Sequence, residues 1–184
     1  SRVAFISSLW SDRGSVAGGV FVVSAEGGEA RELSAGHAAS VTWLEWSDDG
    51  THLVTLAREG GGIGLADVQV ASGVRRSLWS GEANVAEGSW PQFSRDDTGR
   101  IALVREDDEH PRDVWVAGRR GEGLEWRQLT DLNPSARELE LAAVETVHWK
   151  GADGWEMQGL LVRPRTGSSE PPPMVTIVHG GPTS

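Results

Sequence analysis

Apolar and polar residues alternate with a period of two along most of this chain, in short runs broken by glycine- and aspartate-rich segments, which predicts β-strands joined by tight turns. Two stretches repeat the pattern in register. Val41-Thr42-Trp43-Leu44-Glu45-Trp46-Ser47 ahead of Asp48-Asp49-Gly50 matches Gly88-Ser89-Trp90-Pro91-Gln92-Phe93-Ser94 ahead of Arg95-Asp96-Asp97-Thr98-Gly99. Alternating runs follow at 51–58 and 100–106, and third strands at 63–70 and 113–117. A fourth strand closes each unit, at 74–79 after Ala71-Ser72-Gly73 and at 124–129 after Arg119-Arg120-Gly121-Glu122-Gly123.

The repeat period lies in the upper forties of residues, close to the about 40–50 of a four-stranded β-propeller blade. Residues 2–9, 19–25 and 29–33 fit the same scheme with its first strand missing. The expected fold is therefore mainly β, with one partial and two whole four-stranded blades. A generic antiparallel sandwich with Asp-Gly hairpins is the competing architecture, and the repeated Asp-rich turn in register favours blades. Such blades are wedge-shaped sheets that need neighbours. Association, or further blades of a longer parent chain, is expected to cover their edges.

The character changes at Leu129-Thr130-Asp131-Leu132-Asn133-Pro134, which ends the last repeat and divides the chain into 1–134 and 135–184. Alternation at Leu139-Glu140-Leu141 and again from Val144 to Trp149 predicts a largely extended path through 135–145. Asp153-Gly154 supplies a tight turn between strands at 144–150 and 155–162. Beyond Pro171-Pro172-Pro173, the run Met174-Val175-Thr176-Ile177-Val178 is apolar on both faces except at Thr176, as expected of a strand buried in a largely parallel sheet. It leads directly into His179-Gly180-Gly181-Pro182.

The ordered set Leu129 to Pro134, Glu145, Trp149-Lys150, Asp153-Gly154, Gly159 to Pro164 and Val178 to Pro182 resembles the junction between propeller and α/β-hydrolase domain in the prolyl oligopeptidase family of serine peptidases. The acylaminoacyl-peptidase-like branch is the most similar. The resemblance implies that 1–134 is the C-terminal part of a propeller and that 135–184 is a linker and the first strands of an incomplete α/β-hydrolase domain. It further implies Ser-His-Asp acyl transfer on short peptides, with the propeller gating access. A glycine turn at a strand's C-terminal end lets backbone N–H groups reach a developing oxyanion without a Cβ in the way. By the resemblance, the Gly181 N–H is one such donor, with Gly180 and His179 supporting the loop. Esterase activity, or a propeller binding module with a vestigial hydrolase domain, are the alternatives.

No serine here has glycines at both the minus-two and plus-two positions, so the nucleophile's elbow is absent from this sequence. The family's aspartate and histidine follow that serine, so the segment alone is expected to be inactive.

Charge and composition narrow the partners. Seventeen basic against 27 acidic residues give a net charge of -10, which disfavours nucleic acid and anionic membrane surfaces. No apolar run approaches the roughly 20 residues of a membrane span, and there is no cysteine, which permits a reducing compartment; the cytoplasm is the expected location. A peptide substrate is the expected ligand, no cofactor is implied, and homo-oligomers stay open. His37, His52, His110 and His148 lack metal-ligand spacing. Gly60-Gly61-Gly62 lacks the Lys-Ser/Thr of a phosphate loop and reads as a flexible inter-strand loop. Glu106-Asp107-Asp108-Glu109 reads as a solvated hairpin tip, and the strand tryptophans as packing between sheets.

Overall fold

The computed structural model describes residues 1–8, 18–85, 91–164 and 172–178. Its strands form antiparallel sheets. The first holds β1 (Arg2–Ser7), β2 (Gly19–Ser24) and β3 (Arg31–Glu32), paired in that order. The second holds β4 (Ser40–Trp46), β5 (His52–Glu59), β6 (Gly62–Gln69) and β7 (Arg75–Gly81), a plain four-stranded meander. In the third, β10 (Ile101–Glu106), β11 (Asp113–Arg120) and β12 (Gly123–Gln128) pair in sequence. Two short pieces, β8 (Asn84–Val85) and β9 (Ser94–Arg95), both pair with the free edge of β10. Of the strand expected at 88–94, residues 88–90 lie outside the described residues, and of 91–94 Ser94 alone, in β9, is paired with β10. Pro91 cannot donate to a ladder and is itself buried.

The second sheet lies in the middle. Alternation along β5 sends Leu53 and Ala57 toward the first sheet, against Val20, Val22 and Leu33, and Val54 and Leu56 toward the third, against Phe93, Ile101 and Leu103. Five consecutive β5 residues, Leu53 to Ala57, are therefore buried, as a strand covered on both faces requires. In β4 the pattern is broken by a bulge between Val41 and Trp43. Thr42 is the extra residue, and its hydroxyl donates to the Leu56 carbonyl at 3.2 Å. The one-residue slip turns Trp43 to the third sheet while Val41 faces the first, although period-two reading puts them on one face. Trp79 and Trp126 meet edge to face at 5.4 Å in the same layer. Of the strand tryptophans expected to pack between sheets, Trp43 and Trp115 line this layer and Trp46 the other, whereas Trp149 is exposed and Trp90 lies outside the described residues.

The repeated turns share one device. Asp49 Oδ1 accepts from the Ser47 hydroxyl (2.7 Å), the Thr51 N–H (2.9 Å) and the Thr51 hydroxyl (2.8 Å). Asp96 Oδ1 likewise accepts from Thr98 and from the Arg100 N–H, and its Oδ2 from Arg100 Nε. Gly50 at φ +65° and Gly99 at φ +80° supply the left-handed residue of each turn. Adjacent sheets are tied at this end by Arg2, which donates to the Gly50 carbonyl at 2.8 Å, and Arg95, which donates to Asp48 at 2.5 Å.

These bonds stabilise the ionised carboxylates. The hydroxyl of Ser47, then the Thr51 N–H, hold Asp49 at about 2 against an ordinary 3.8, and the Thr98 hydroxyl and Arg100 hold Asp96 far below the usual range. A carboxyl with a depressed folded pKa stabilises the fold above its unfolded pKa and loses that contribution as pH falls through its folded one. Stability, followed as the urea midpoint, is expected to be flat with respect to these groups above about pH 5 and to fall between about pH 4 and 2. Asp49→Asn should flatten part of that slope; an unchanged acid limb would contradict the assignment.

After the third sheet comes a short 3-10 turn, Pro134–Glu138, where an extended path was expected. Pro134 opens it with its fixed φ, and Arg137 pairs with Asp131 at 2.9 Å. A hairpin of β13 (Ala143–Lys150) and β14 (Glu156–Arg163) follows. Its turn is longer than a two-residue connection: Gly154 N–H donates to the Gly151 carbonyl, and only Gly154, at φ +86°, is left-handed. Asp153 serves instead as acceptor for the Trp155 N–H at 3.3 Å. Residues 172–178 pair with no strand among the described residues, and Met174, Val175, Ile177 and Val178 are 78–88% exposed. The buried parallel strand expected there is not formed. A parallel strand owes its existence to hydrogen-bonding neighbours and covering helices, and no such elements occur among the described residues. The described part of the chain is therefore mainly β, without a closed ring of sheets and without an α/β-hydrolase domain.

Candidate functional site

The lead-in to β4, the β5–β6 turn, the start of β8 and the β10–β11 turn all fall at one end of the stacked sheets. The β13–β14 hairpin lies across that end, and between them is an open cleft of about 1030 Å³. One hairpin face lines it. Val144, Thr146, Gln158 and Leu160 share that face by register, since Thr146 pairs with Leu160 and His148 with Gln158. On the opposite face Glu145 binds Arg163 at 2.9 Å. There too the Trp149 indole lies over Gly159, 3.2 Å from where a Cβ would stand. Gly159 is a packing requirement of the hairpin.

From the sheets, the cleft receives the β5–β6 turn. Gly60 (φ +57°) and Gly61 (φ +83°) are both left-handed, and Glu59 pairs directly with Gly62. This is the two-residue turn type that twists with its strands, not the flexible loop the sequence suggested. In the acidic run 106–109, Asp108 and Glu109 are exposed, as in a solvated tip, whereas Glu106 and Asp107 are half-buried and paired. Glu106 accepts from Arg112 at 2.8 Å and from Asn84 at 2.7 Å, and these partners lower its pKa. Burial pushes the Asp107 carboxyl up, but hydrogen bonds from His110 and the Glu109 N–H and the charge of Arg105 outweigh it and leave it below the usual range. His110 Nδ1 is 2.7 Å from Asp107, and its ring meets Trp115 edge-on.

Arg105 is held between two indoles, 5.3 Å from the Trp79 centroid and 4.8 Å from that of Trp115, with its guanidinium donating to Asp107 at 2.9 Å. Sequence reasoning missed this cluster. Its signal was the interleaving of Arg105, His110 and Arg112 with the acidic run. Glu59, Glu82, Glu106, Asp107 and Asp108 line the cleft against a single lining arginine, Arg58, a balance that disfavours anionic ligands.

The route from the sheets to the hairpin is fixed at the same end by Asp113, which is 1% exposed. Its carboxylate accepts from the Thr130 hydroxyl (2.5 Å), the Leu132 N–H (3.0 Å) and Gln128 Nε2 (2.9 Å). Thr130 Oγ1 also accepts from the Val114 N–H at 2.8 Å. These bonds favour the charged form, the Thr130 hydroxyl most, and lower the pKa. The Leu129-Thr130-Asp131-Leu132 segment thus leaves the third sheet by a hydrogen-bonded path toward β13. Asp113 could have been suspected only as an aspartate opening an otherwise apolar strand.

His179, Gly180 and Gly181, the expected oxyanion loop, lie outside the described residues. Among the described residues no group of three or more His, Cys, Asp or Glu is arranged to hold a metal, and no helix is long and apolar enough to cross a membrane.

The chain resembles part of AtxE2 isopeptidase in fold. Against a variant of that enzyme bound to Astexin3-dC4 the TM-score is 0.66 at 19% identity, over 91% of this chain and 25% of that one. The apo enzyme gives 0.66 at 18% identity, over 89% and 24%. A structure from a study of two prolyl endopeptidases gives 0.50 at 16% identity, over 89% and 24%. At these identities the likeness is one of fold, and the chain spans about a quarter of the length of the structures it matches. No protein-family model and no curated protein matches it.

Proposed function

We propose that this chain is a segment of a serine oligopeptidase of the prolyl oligopeptidase type, acylaminoacyl-peptidase-like, that hydrolyses short peptides in the cytoplasm. In this reading the three sheets are the last blades of a β-propeller that filters substrates by size. Residues 135–184 begin an α/β-hydrolase domain, and the triad belongs to the rest of the parent protein, as do the remaining blades. The observation that carries it is the order of elements. Stacked antiparallel sheets, a tethered exit, a hairpin and an apolar run leading into His179-Gly180-Gly181 follow one another, and most of this chain matches part of an isopeptidase in fold.

The Gly181 N–H would donate to the oxyanion of the tetrahedral intermediate, with Gly180 and His179 supporting the loop. The second donor would be the N–H following the nucleophile. A fluorophosphonate probe is expected to label the complete protein and not the 184-residue chain. In the complete protein, Gly181→Pro, which deletes the donor, should lower kcat by about 10²–10³ with a small change in KM. An unlabelled complete protein, or full activity in that variant, would defeat the proposal.

A further inference from the structure

The hairpin is internally stiff. Its strands pair along their whole length, Trp149 fills the space over Gly159, and Glu145 and Arg163 close one end. Among the described residues β13 and β14 pair only with each other, so the hairpin's placement over the cleft depends on side-chain contacts. One is well defined. Gln158, on the cleft-facing side, brings Nε2 within 3.2 Å, and Cδ and Oε1 within 3.8 Å, of where a Cβ on Gly61 would stand.

The turn that meets it is anchored in the sheet. Gly60 and Gly61 occupy left-handed backbone, Glu59 pairs with Gly62, and β6 lies so close to β7 that a Cβ on Gly62 would stand 2.3 Å from the Gly81 carbonyl oxygen. A side chain resting on this turn is backed by paired strands. By contrast a Cβ on Gly60 would meet nothing within 4 Å.

We propose that Gln158 is a strut: seated on the β5–β6 turn, it holds the hairpin off the sheet ends and sets the width of the cleft, and with it the length of polypeptide admitted. Gln158 is thus a specificity-determining positioning residue, a role that rests on reading the cleft as a peptide path. The contact is one of shape, with the glycine leaving room for the amide.

The test uses the complete protein and the ratio of kcat/KM for a peptide of about 15 residues, roughly 50 Å when extended, to that for a dipeptide-sized reporter. Amide hydrogen exchange across Glu156–Arg163 is followed in parallel. Gln158→Ala lets the hairpin settle toward the sheet ends, and so should lower the ratio by about fivefold, the scale of one lost packing contact, and speed exchange in β14. Gly61→Asn, which tolerates left-handed backbone but fills the space under the amide, should shift the ratio oppositely, and combining it with Gln158→Ala should bring the ratio back. Gly60→Asn imposes the same backbone cost without touching Gln158 and should leave β14 exchange as it was. Should Gln158→Ala fold poorly, Gln158→Asn shortens the strut by one methylene and should move both readouts the same way. An unchanged ratio with unchanged exchange, or Gly60→Asn acting as strongly as Gly61→Asn, would overturn the strut. If the unaltered protein cleaves neither substrate, the peptidase reading fails by itself, and β14 exchange in Gln158→Ala still decides the strut.

Discussion

Leu56→Ala is expected to lower the unfolding free energy by about 3 kcal/mol, within the 2–5 kcal/mol span of buried leucine truncations. Leu56 is fully buried in the middle sheet, packed in the layer that includes Leu65, Phe93 and Ile101. Two costs add. The lost methyl groups forfeit their transfer free energy, and the cavity persists because β5 is hemmed in by strands on both sides and by sheets on both faces. Urea unfolding measures the effect directly. Val74→Ala, at a site 63% exposed, serves as the contrast and should stay within about 0.5 kcal/mol. Equal effects at the two sites would mean that the layer between the second and third sheets is not close-packed.

The second large effect is expected at Asp113. Asp113→Ala removes the shared acceptor of Thr130, Gln128 and the Leu132 N–H and leaves those donors without their partner, a loss that should lower the Tm by several degrees. Unlike the core truncation, it should act locally first. The stretch from Leu129 to Pro134 loses its tether to β11, so limited proteolysis there should accelerate under conditions where the sheets remain folded. Asp113→Asn keeps one acceptor oxygen but turns an amide N–H₂ toward groups that donate, so its effect should lie between those of wild type and alanine. Proteolysis that accelerates only together with global unfolding would show that the carboxylate supports the sheet and not the exit.

Much of the fold is legible in the residues because strands and turns are set by near neighbours. Alternation placed β5, β6, β10 and β11 close to their observed bounds, and the Asp49 and Asp96 turns follow from side chains bonding to backbone two residues on, a local geometry. The hairpin at β13 and β14 was likewise visible, flanking its glycine. Less was legible where a residue's role depends on partners far along the chain. Glu106 and Asp107 looked as solvated as the exposed Asp108 and Glu109 because nothing in the composition says that Arg105 is clamped between Trp79 and Trp115. The apolar run at 174–178 looked like a buried strand because hydrophobicity reports the tendency to be covered and not the presence of a cover.

The sequence by itself determined a chain of short antiparallel strands with a repeated Asp-rich turn and a hairpin near its end. The physical reason is that alternation, glycine's left-handed backbone and aspartate's short acceptor act within a few residues. Tertiary structure alone decided that Thr42 bulges, so that Val41 and Trp43 face different sheets. It also decided that Asp113 becomes the buried tether of the exit and that Gln158 comes to rest on Gly61. Each depends on contacts between residues remote in sequence, whose free energy exists only once the sheets have stacked.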